Sequence, residues 1–235
     1  MKHLKLLPPP VELDITDQLR DGIVRGMFAP QSALRIDALA TQFGVSHMPI
    51  REALRRLETE GLLTTTPNRG ARVVEVTPEF VAEILDLRTL IEAFMTRRAA
   101  ERITPAQLAH LQLIQHRYEA AAEREEANAA LAANREFHVA INAIAGNRDG
   151  SLILDRHWRL ITALWRGYGY QVQRFAAVVA DHQQMLAAFA QRDADGAAAL
   201  SAAHSTRAKQ ILLARMREKR GAVGQAVASA RQESA

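Results

Sequence analysis

Helical periodicity extends along the chain from Thr77 to about residue 218, and no segment within it alternates like a strand. Thr77 has the character of an N-cap, and Pro78 follows at the first helical position. Turn-forming residues interrupt the pattern at Thr104-Pro105, near Glu125, at Gly146-Asn147, at Gly167 to Gly169 and at Asp193 to Gly196. These interruptions predict that residues 77–218 form an all-α bundle of about six helices.

Residues 11–76 differ from this pattern, because their segments are short and two of them have strand character. The helical patterns run from Ile15 to Ile23, from Ile36 to Phe43 and from Pro49 to Glu60, and the β-like runs are Leu62 to Thr65 and Arg72 to Val76, on either side of the turn Pro67 to Gly70. This order predicts three helices and a β-hairpin, so the whole protein is expected to be mainly α. We expect residues 1–10 to be a disordered lead-in and residues 219–235 to be a flexible tail.

The composition limits the cellular compartment to be expected and the residue types that could bind a metal. The 235 residues are 48% apolar and 24% charged, which is enough apolar material for two packed domains. The chain has no cysteine, so a metal would have to use His, Asp, Glu, Asn or water. No apolar run reaches the roughly 18 to 20 residues of a membrane span, and the first ten residues lack a signal peptide. We therefore expect a cytoplasmic protein with no membrane partner, whose net charge of +4 is compatible with nucleic-acid binding.

The segment from Leu39 to Leu54 has the layout of a helix-turn-helix. Gly44 can take the left-handed conformation of the turn, and Ser46 is expected to cap the next helix. The first turn of that helix would enter the DNA major groove, and the hairpin tip would form a wing. The DNA contacts predicted from this layout are Arg35, Ser46, His47, Met48, Pro49, Arg51, Arg55, Asn68, Arg69 and Gly70.

The same arginines also allow a simpler interpretation, because helix-turn-helix shapes occur in proteins that never bind DNA. In that case the basic residues form a solvated helix face, in which Arg51, Arg55 and Arg56 pair with Glu52, Glu58 and Glu60. Spacing alone leaves both interpretations open.

Residues 15–76 closely resemble the winged-helix domain of the GntR superfamily of bacterial transcription regulators. The resemblance rests on Leu39-Ala40, Gly44-Val45-Ser46, Pro49 to Leu54, Leu57, Glu60-Gly61-Leu62 and Asn68-Arg69-Gly70. It implies a DNA-binding domain that recognises one half of an operator. The chain departs from the family where Arg and Thr usually follow the Val-Ser pair, because His47 and Met48 stand there, and Asp37 replaces an Arg before the Leu-Ala pair. These departures predict weaker binding or a different operator sequence.

Three histidines of the helical region occupy positions where a leucine would be expected. His138, His182 and His204 each lie in the apolar stripe of a helix, and Asn134 is on the same face as His138. Burying such groups without partners costs roughly 1 to 3 kcal/mol each. They therefore require hydrogen bonds to one another, water or a shared ligand such as a divalent metal. A histidine satisfied within the core remains the alternative for each one.

Arg88 and Trp165 are candidates for contact with a small molecule. Arg88 lies on an apolar stripe of its helix, where it could bind a carboxylate through its guanidinium, extend to the surface or pair with Glu92 four residues later. Trp165 belongs to an aromatic group near Gly167 that is expected to form core or pocket wall.

Residues 77–218 resemble the FCD ligand-binding domain of the FadR subfamily of GntR regulators, in its VanR-like branch. The matching features are Arg88 with Leu90-Ile91-Glu92, Phe137-His138, Ala145-Gly146-Asn147, Asp181-His182 and Ala198 to His204. The resemblance implies a divalent metal held by one Asp and three His, here Asn134, His138, His182 and His204. Zinc is the first expectation, with nickel and manganese as alternatives. Asn134 in place of Asp predicts weaker metal binding and a pocket more favourable to an anion.

Together these features predict a transcription regulator, a repressor, that binds an inverted-repeat operator as a homodimer. A small carboxylate effector would bind beside the metal, in contact with Arg88 and Trp165. One alternative is a DNA-binding dimer with a metal-free or vestigial pocket. A metal-dependent hydrolase is a more remote one, because no carboxylate on the His138 stripe is placed as a general base, and we do not expect an enzyme.

Overall fold

A computed structural model describes residues 14–66 and 70–232 of the chain, which divides into two compact units between Glu75 and Val76. The N-terminal unit contains α1 (Ile15–Val24), β1 (Ala33–Leu34), α2 (Ile36–Phe43), α3 (His47–Thr59), β2 (Leu63–Thr66) and β3 (Gly70–Val73). The C-terminal unit contains α4 (Pro78–Arg102), α5 (Pro105–Glu123), α6 (Ala127–Ala145), α7 (Arg148–Tyr168), a 3₁₀ turn (Val172–Arg174), α8 (Phe175–Gln191) and α9 (Ala194–Gln232). The predicted mainly α fold is confirmed. Within the described residues, no helix has the length and apolar character that crossing a membrane requires.

The wing is a three-stranded antiparallel sheet in the order β1-β3-β2. Leu63 pairs with Val73 and Thr66 with Gly70, while Ala33 pairs with Arg72 on the other side of β3. The sequence pattern misses the two-residue strand β1. The pattern also predicts that the last strand continues to Val76, which is wrong, because β3 ends at Val73. Val73 pairs with Leu63, the first residue of β2, so the residues after Val73 have no partner strand.

Gly44 and Ser46 set the turn between α2 and α3. Gly44 ends α2 in the predicted left-handed conformation, with φ of 65°. Ser46 occupies the N-cap position of α3 as expected, but its side chain makes no capping hydrogen bond. Pro49 lies in the first turn of α3, where a missing N–H costs nothing. Helix α3 thus begins at His47, directly after the expected cap Ser46 and two residues before the periodic pattern that starts at Pro49.

The termini of the long helices follow local sequence signals. Thr77 accepts a hydrogen bond from the Phe80 N–H and caps α4, and Thr104 forms a capping box with Gln107 that begins α5. The helical pattern was expected to end at residue 218, but α9 continues to Gln232. Residues 219–235 were predicted to be a flexible tail, but residues 219–232 are part of α9, and residues 233–235 lie outside the described residues. Gly221 does not end the helix, because alanine-rich, proline-free sequence surrounds it. The predicted lead-in, residues 1–10, lies outside the described residues.

The core of the helical unit is built where α4, α5, α6 and α8 meet. Its buried members include Met95, Ile114, Phe137 and Met185. Helix α4 also packs along α9 and against α7. This arrangement turns one face each of α6, α8 and α9 toward a common interior.

Candidate functional site

The exposed surface of α3 carries the residues predicted to contact DNA. Ser46, His47 and Met48 are exposed, Pro49 is half-buried, and Arg51 and Arg55 follow on the same exposed side. A shallow concavity of the N-terminal unit is lined by Arg35, Arg51, Arg55 and Arg72, together with Asp37 and Glu58. Gly70 is exposed at the start of β3, whereas Asn68 and Arg69 lie outside the described residues.

Ion pairing distinguishes the arginines of α3 from one another. Arg56 pairs with Glu52 and with Asp14, as expected of a solvated face. Glu60 is engaged by the buried Arg20 of α1. In the part of the chain that the structure describes, Arg51 and Arg55 have no such carboxylate partner. Their cationic groups therefore stay available for an external anion.

Two of the residues that depart from the family pattern, His47 and Asp37, contact each other. His47 Nε2 lies 3.2 Å from Asp37 Oδ1, and both side chains are largely exposed. Asp37 thus sits beside the first turn of α3, where helix geometry favours phosphate binding.

The three histidines predicted to bind a metal come together from three helices. His138 lies on α6, His182 on α8 and His204 on α9, and all are buried, His182 completely. One potential ligand atom from each lies within 4.8 Å of the others. Asn134, one turn before His138 on α6, is buried as well and lines the same cavity as His138 and His204.

Hydrogen bonds orient two of these imidazoles. The Gln115 amide nitrogen donates to Glu119, so its oxygen accepts from His182 Nδ1 at 2.8 Å. His204 Nδ1 donates to Asp181 Oδ2 at 3.0 Å. These bonds select, for each neutral ring, the tautomer with an unprotonated Nε2, which is the form that binds a metal.

The cluster has polar atoms without partners. Asn134 Oδ1 and His182 Nε2 are buried and accept no hydrogen bond. Burial lowers the pKa of His138 to about 3 and lowers that of His182, so both rings are neutral. Neutral imidazole nitrogens and an amide oxygen, all acceptors, fit a divalent cation such as zinc.

A small cavity of about 40 Å³ adjoins the cluster. Arg88, Glu92, Asn134, His138, Trp158, Trp165, Arg174 and His204 are among the residues that line it. By the same measure one water needs about 10 to 15 Å³, so the cavity has room for about three waters. The predicted effector residues Arg88 and Trp165 are both at its wall.

Arg88 is already engaged inside the protein. It donates to Glu92 Oε1 at 2.5 Å and to the Leu154 carbonyl at 3.0 Å, and its guanidinium lies 4.9 Å from the centre of the Trp158 ring. Burial alone would raise the pKa of Glu92, but the Arg88 charge holds it below its ordinary value. The Arg88 pairing foreseen as an alternative is therefore present, and contact with an effector stays a prediction.

The roles of four residues around the candidate site could not be predicted from the sequence pattern. Gln115 and Asp181 orient histidines from other helices, and no spacing along the chain shows such contacts. Glu92 was visible only as a neighbour of Arg88. Arg174 lies in a 3₁₀ turn between helices, where no periodicity marks a side chain as inward.

The comparisons with known proteins agree with this architecture. Residues 12–73 match the family described as bacterial regulatory proteins, gntR family, and residues 83–207 match the FCD domain. The FCD match alone covers more than half of the chain, and its range includes all four residues of the candidate metal cluster.

Among the relatives are two regulators of Escherichia coli K12. The HTH-type transcriptional repressor RspR is 32% identical over 136 residues, which are 58% of this chain and 60% of RspR. The HTH-type transcriptional regulator McbR is 32% identical over 141 residues, 60% of this chain and 62% of McbR. The matched segments thus span less than two thirds of these relatives. Both are regulators rather than enzymes, in agreement with the expectation.

Solved structures show the same fold. E. coli McbR/YncC has a TM-score of 0.65 at 23% identity, covering 88% of this chain and 97% of that one. A putative GntR regulator from Rhodococcus has a TM-score of 0.60 at 19% identity, covering 85% and 96% of the two chains. The two family matches, rather than these structures, show that the chain belongs to the gntR family of bacterial regulatory proteins, with an FCD domain that follows the winged helix in sequence.

Proposed function

We propose that this protein represses transcription by binding an inverted-repeat operator as a homodimer, and that a small organic acid beside a divalent metal controls the binding. The observation that carries the proposal is the convergence of three buried histidines, with Asn134 beside them, in the FCD domain of a winged-helix regulator. A two-fold dimer presents two equivalent recognition helices, so its operator is a short inverted repeat. The repressor name of RspR supports the direction of control.

The DNA-binding part of the proposal is supported by the exposed first turn of α3 and by its unpaired cations. Arg51 is placed to bind guanine or phosphate, and Arg35 and Arg55 lie around the same concavity. Side chains of this kind position a recognition helix on the phosphate backbone and determine the base sequence that it binds.

Zinc is the metal we propose for the FCD domain, held by His138, His182 and His204 with the Asn134 oxygen as a further donor. When bound, it supplies a positive charge to which an effector carboxylate can coordinate. Gln115 and Asp181 fix two imidazole rings for this purpose. None of these four side chains is a carboxylate, so none of the ligands themselves offsets the positive charge of the ion.

Other functions are less well supported. A hydrolase needs a free carboxylate as general base, whereas Glu92 is held by Arg88 and accepts a hydrogen bond from Ser205. A regulator with a vestigial, metal-free pocket is favoured only by Asn134 in place of a carboxylate. Zinc content after dialysis separates this alternative from the proposal.

The experiment that tests the DNA-binding role uses duplexes selected from a random library by the wild-type protein. Replacing Arg51 with alanine is expected to weaken binding to the selected sequence by about 1 to 3 kcal/mol and to relax preference at one position per half-site. Arg56→Ala is the matched control, because Arg56 is on the same helix but already paired with acidic residues. Equal losses for both variants, measured by fluorescence anisotropy, would contradict a specific role for Arg51.

Asp37 provides a second test with the opposite sign. A carboxylate about 5 Å from a phosphate in water is repelled by roughly 0.8 kcal/mol, so Asp37→Ala should tighten DNA binding about fourfold at low salt. The gain should shrink as salt screens the phosphates. Glu83→Ala, an exposed change of equal charge on α4, should leave affinity unchanged. Weaker binding by Asp37→Ala would instead show that Asp37 positions His47 for DNA contact.

A further inference from the structure

Arg174 is a buried cation, two of whose three guanidinium nitrogens have no hydrogen-bond partner among the described residues. It ends the 3₁₀ turn before α8, is 7% exposed and lines the cavity beside the histidines. Its Nε and Nη1 are sealed from solvent, and neither donates a hydrogen bond. An arginine in this state is costly, because its charge is removed from water and the hydrogen bonds of these two nitrogens are not replaced.

The other strongly buried arginines of the described residues differ in this respect. Arg20 is held by Glu60 and Asp17, and Arg88 is held by Glu92 and a backbone carbonyl. Asp181 lies close enough to act on the Arg174 charge, but its oxygens are engaged by His204 and Arg207. Arg174 is therefore the uncompensated cation at the cavity.

Aromatic rings hold the guanidinium of Arg174 in place. Its central carbon lies 4.4 Å from the ring centre of Trp165 and 4.8 Å from that of Tyr170. Stacking of this kind fixes the plane of the group while leaving its N–H donors free for an acceptor. Trp165, the predicted effector contact, thus also supports the arginine, and its contact with the effector stays a prediction.

The unsatisfied atoms of the cavity wall and of the adjoining histidine cluster include two kinds. Asn134 Oδ1 and His182 Nε2 are acceptors, which suit a cation, whereas Arg174 Nε and Nη1 and Trp158 Nε1 are donors, which suit an anion. A metal satisfies only the first kind. The donors suit a second ligand with acceptor oxygens, and the positive charge of Arg174 favours one that is negatively charged.

We propose that Arg174 is the anion-binding residue of this cavity and pairs with the carboxylate of a small organic acid. The assignment rests on the proposed effector function and deepens it. Arg88, neutralised by Glu92, lines the site but contributes little net charge. The cavity volume of about 40 Å³ restricts the acid to a few non-hydrogen atoms in this conformation.

The test uses the full-length, zinc-loaded protein and three probes, sodium acetate, glycolate and malonate, with ionic strength matched by sodium chloride. At least one probe is expected to raise the thermal unfolding temperature of the wild type by several degrees. Arg174→Gln should lose at least two thirds of that shift, and Arg174→Lys, which keeps the charge but not the planar donors, should lose part of it. Arg217→Gln, an equal charge change at an exposed position of α9, should keep all of it.

The unfolding temperature in chloride alone separates binding from structure. Arg174→Gln should unfold no earlier than the wild type, because the substitution removes an uncompensated charge. Three results would overturn the proposal: a loss of several degrees in chloride, an undiminished probe response in Arg174→Gln, or no response of the wild type to any probe. If Arg174→Gln does not fold, a full response by Arg174→Lys overturns it as well. Zinc content and DNA affinity, measured on the same samples, show independently whether the proposed regulator function stands.

Discussion

Replacing Glu60 with alanine is expected to lower the free energy of unfolding of the N-terminal unit by about 3 to 5 kcal/mol. Arg20 is 1% exposed, and its Nε and Nη2 donate to the two carboxylate oxygens of Glu60 at 2.6 and 2.7 Å. Without Glu60, the partly exposed Asp17 is the one carboxylate among the described residues that still pairs with the buried guanidinium. Arg20 lies on α1 and Glu60 follows the last residue of α3, so the substitution also loosens the recognition helix.

Hydrogen exchange of the full-length protein measures this effect unit by unit. Protection should fall across α1 and α3 and stay unchanged in α4 to α9. Glu58→Ala, an exposed change on the same helix, should alter stability by no more than about 0.5 kcal/mol. A loss below about 1 kcal/mol for Glu60→Ala would mean that Asp17 and water replace the carboxylate, contrary to this account. DNA affinity should fall with stability, even though Glu60 belongs to the buried pair rather than to the exposed face of α3.

Local signals in the sequence were sufficient for much of the fold. Gly44 and Thr77 act through their own backbone positions, so their roles in ending α2 and capping α4 could be recognised from neighbouring residues alone. Strand β1 could not, because Ala33 pairs with Arg72, far away in the chain. Two residues are too few to show alternation, and only the finished sheet defines them as a strand.

Helical periodicity was sufficient to predict the candidate metal cluster, but it could not predict the residues around the cluster. His138, His182 and His204 interrupt apolar stripes, and helical periodicity alone shows that such residues point inward. Their partners Gln115 and Asp181 come from different helices, and the packing of α5 and α8 decides which imidazole each one meets. Arg174 lies outside any regular period. The sequence therefore indicates the candidate metal ligands better than the residues that orient them or that face the proposed effector site.

Replacing His182 with phenylalanine is expected to abolish zinc retention, from about one ion per chain to none after dialysis. The substitution removes the most deeply buried imidazole of the cluster but keeps an aromatic ring on Phe137, against which His182 stacks at 4.1 Å. A bound metal present at 100 times its Kd stabilises a protein by about 2.7 kcal/mol, and the variant should lack this contribution. Chelation should lower the unfolding temperature of the wild type and leave that of the variant unchanged.

The matched control is His157→Phe. His157 is also a buried histidine with an unpaired Nδ1, and burial lowers its pKa to about 4, but it lies on α7 outside the cluster. This variant should keep its zinc. Asp181→Asn should weaken zinc binding by about 10 to 100-fold, because Asp181 orients His204 without being a ligand itself.

The variant Asn134→Asp tests how asparagine, in place of the family's aspartate, affects the binding of a metal and of an anion. An anionic oxygen at this position should tighten zinc binding, yet it also removes one positive charge from a cavity in which Arg174 is already uncompensated. The variant should therefore hold zinc more strongly and respond less to a carboxylate than the wild type. Zinc in the Asn134→Asp variant but not in the wild type would show that the wild-type protein does not bind the ion and has only an anion site. Absence of zinc, nickel and manganese from both proteins, measured by elemental analysis after dialysis, would exclude the metal, since a cluster that lacks an ion even with a carboxylate added is a packed core.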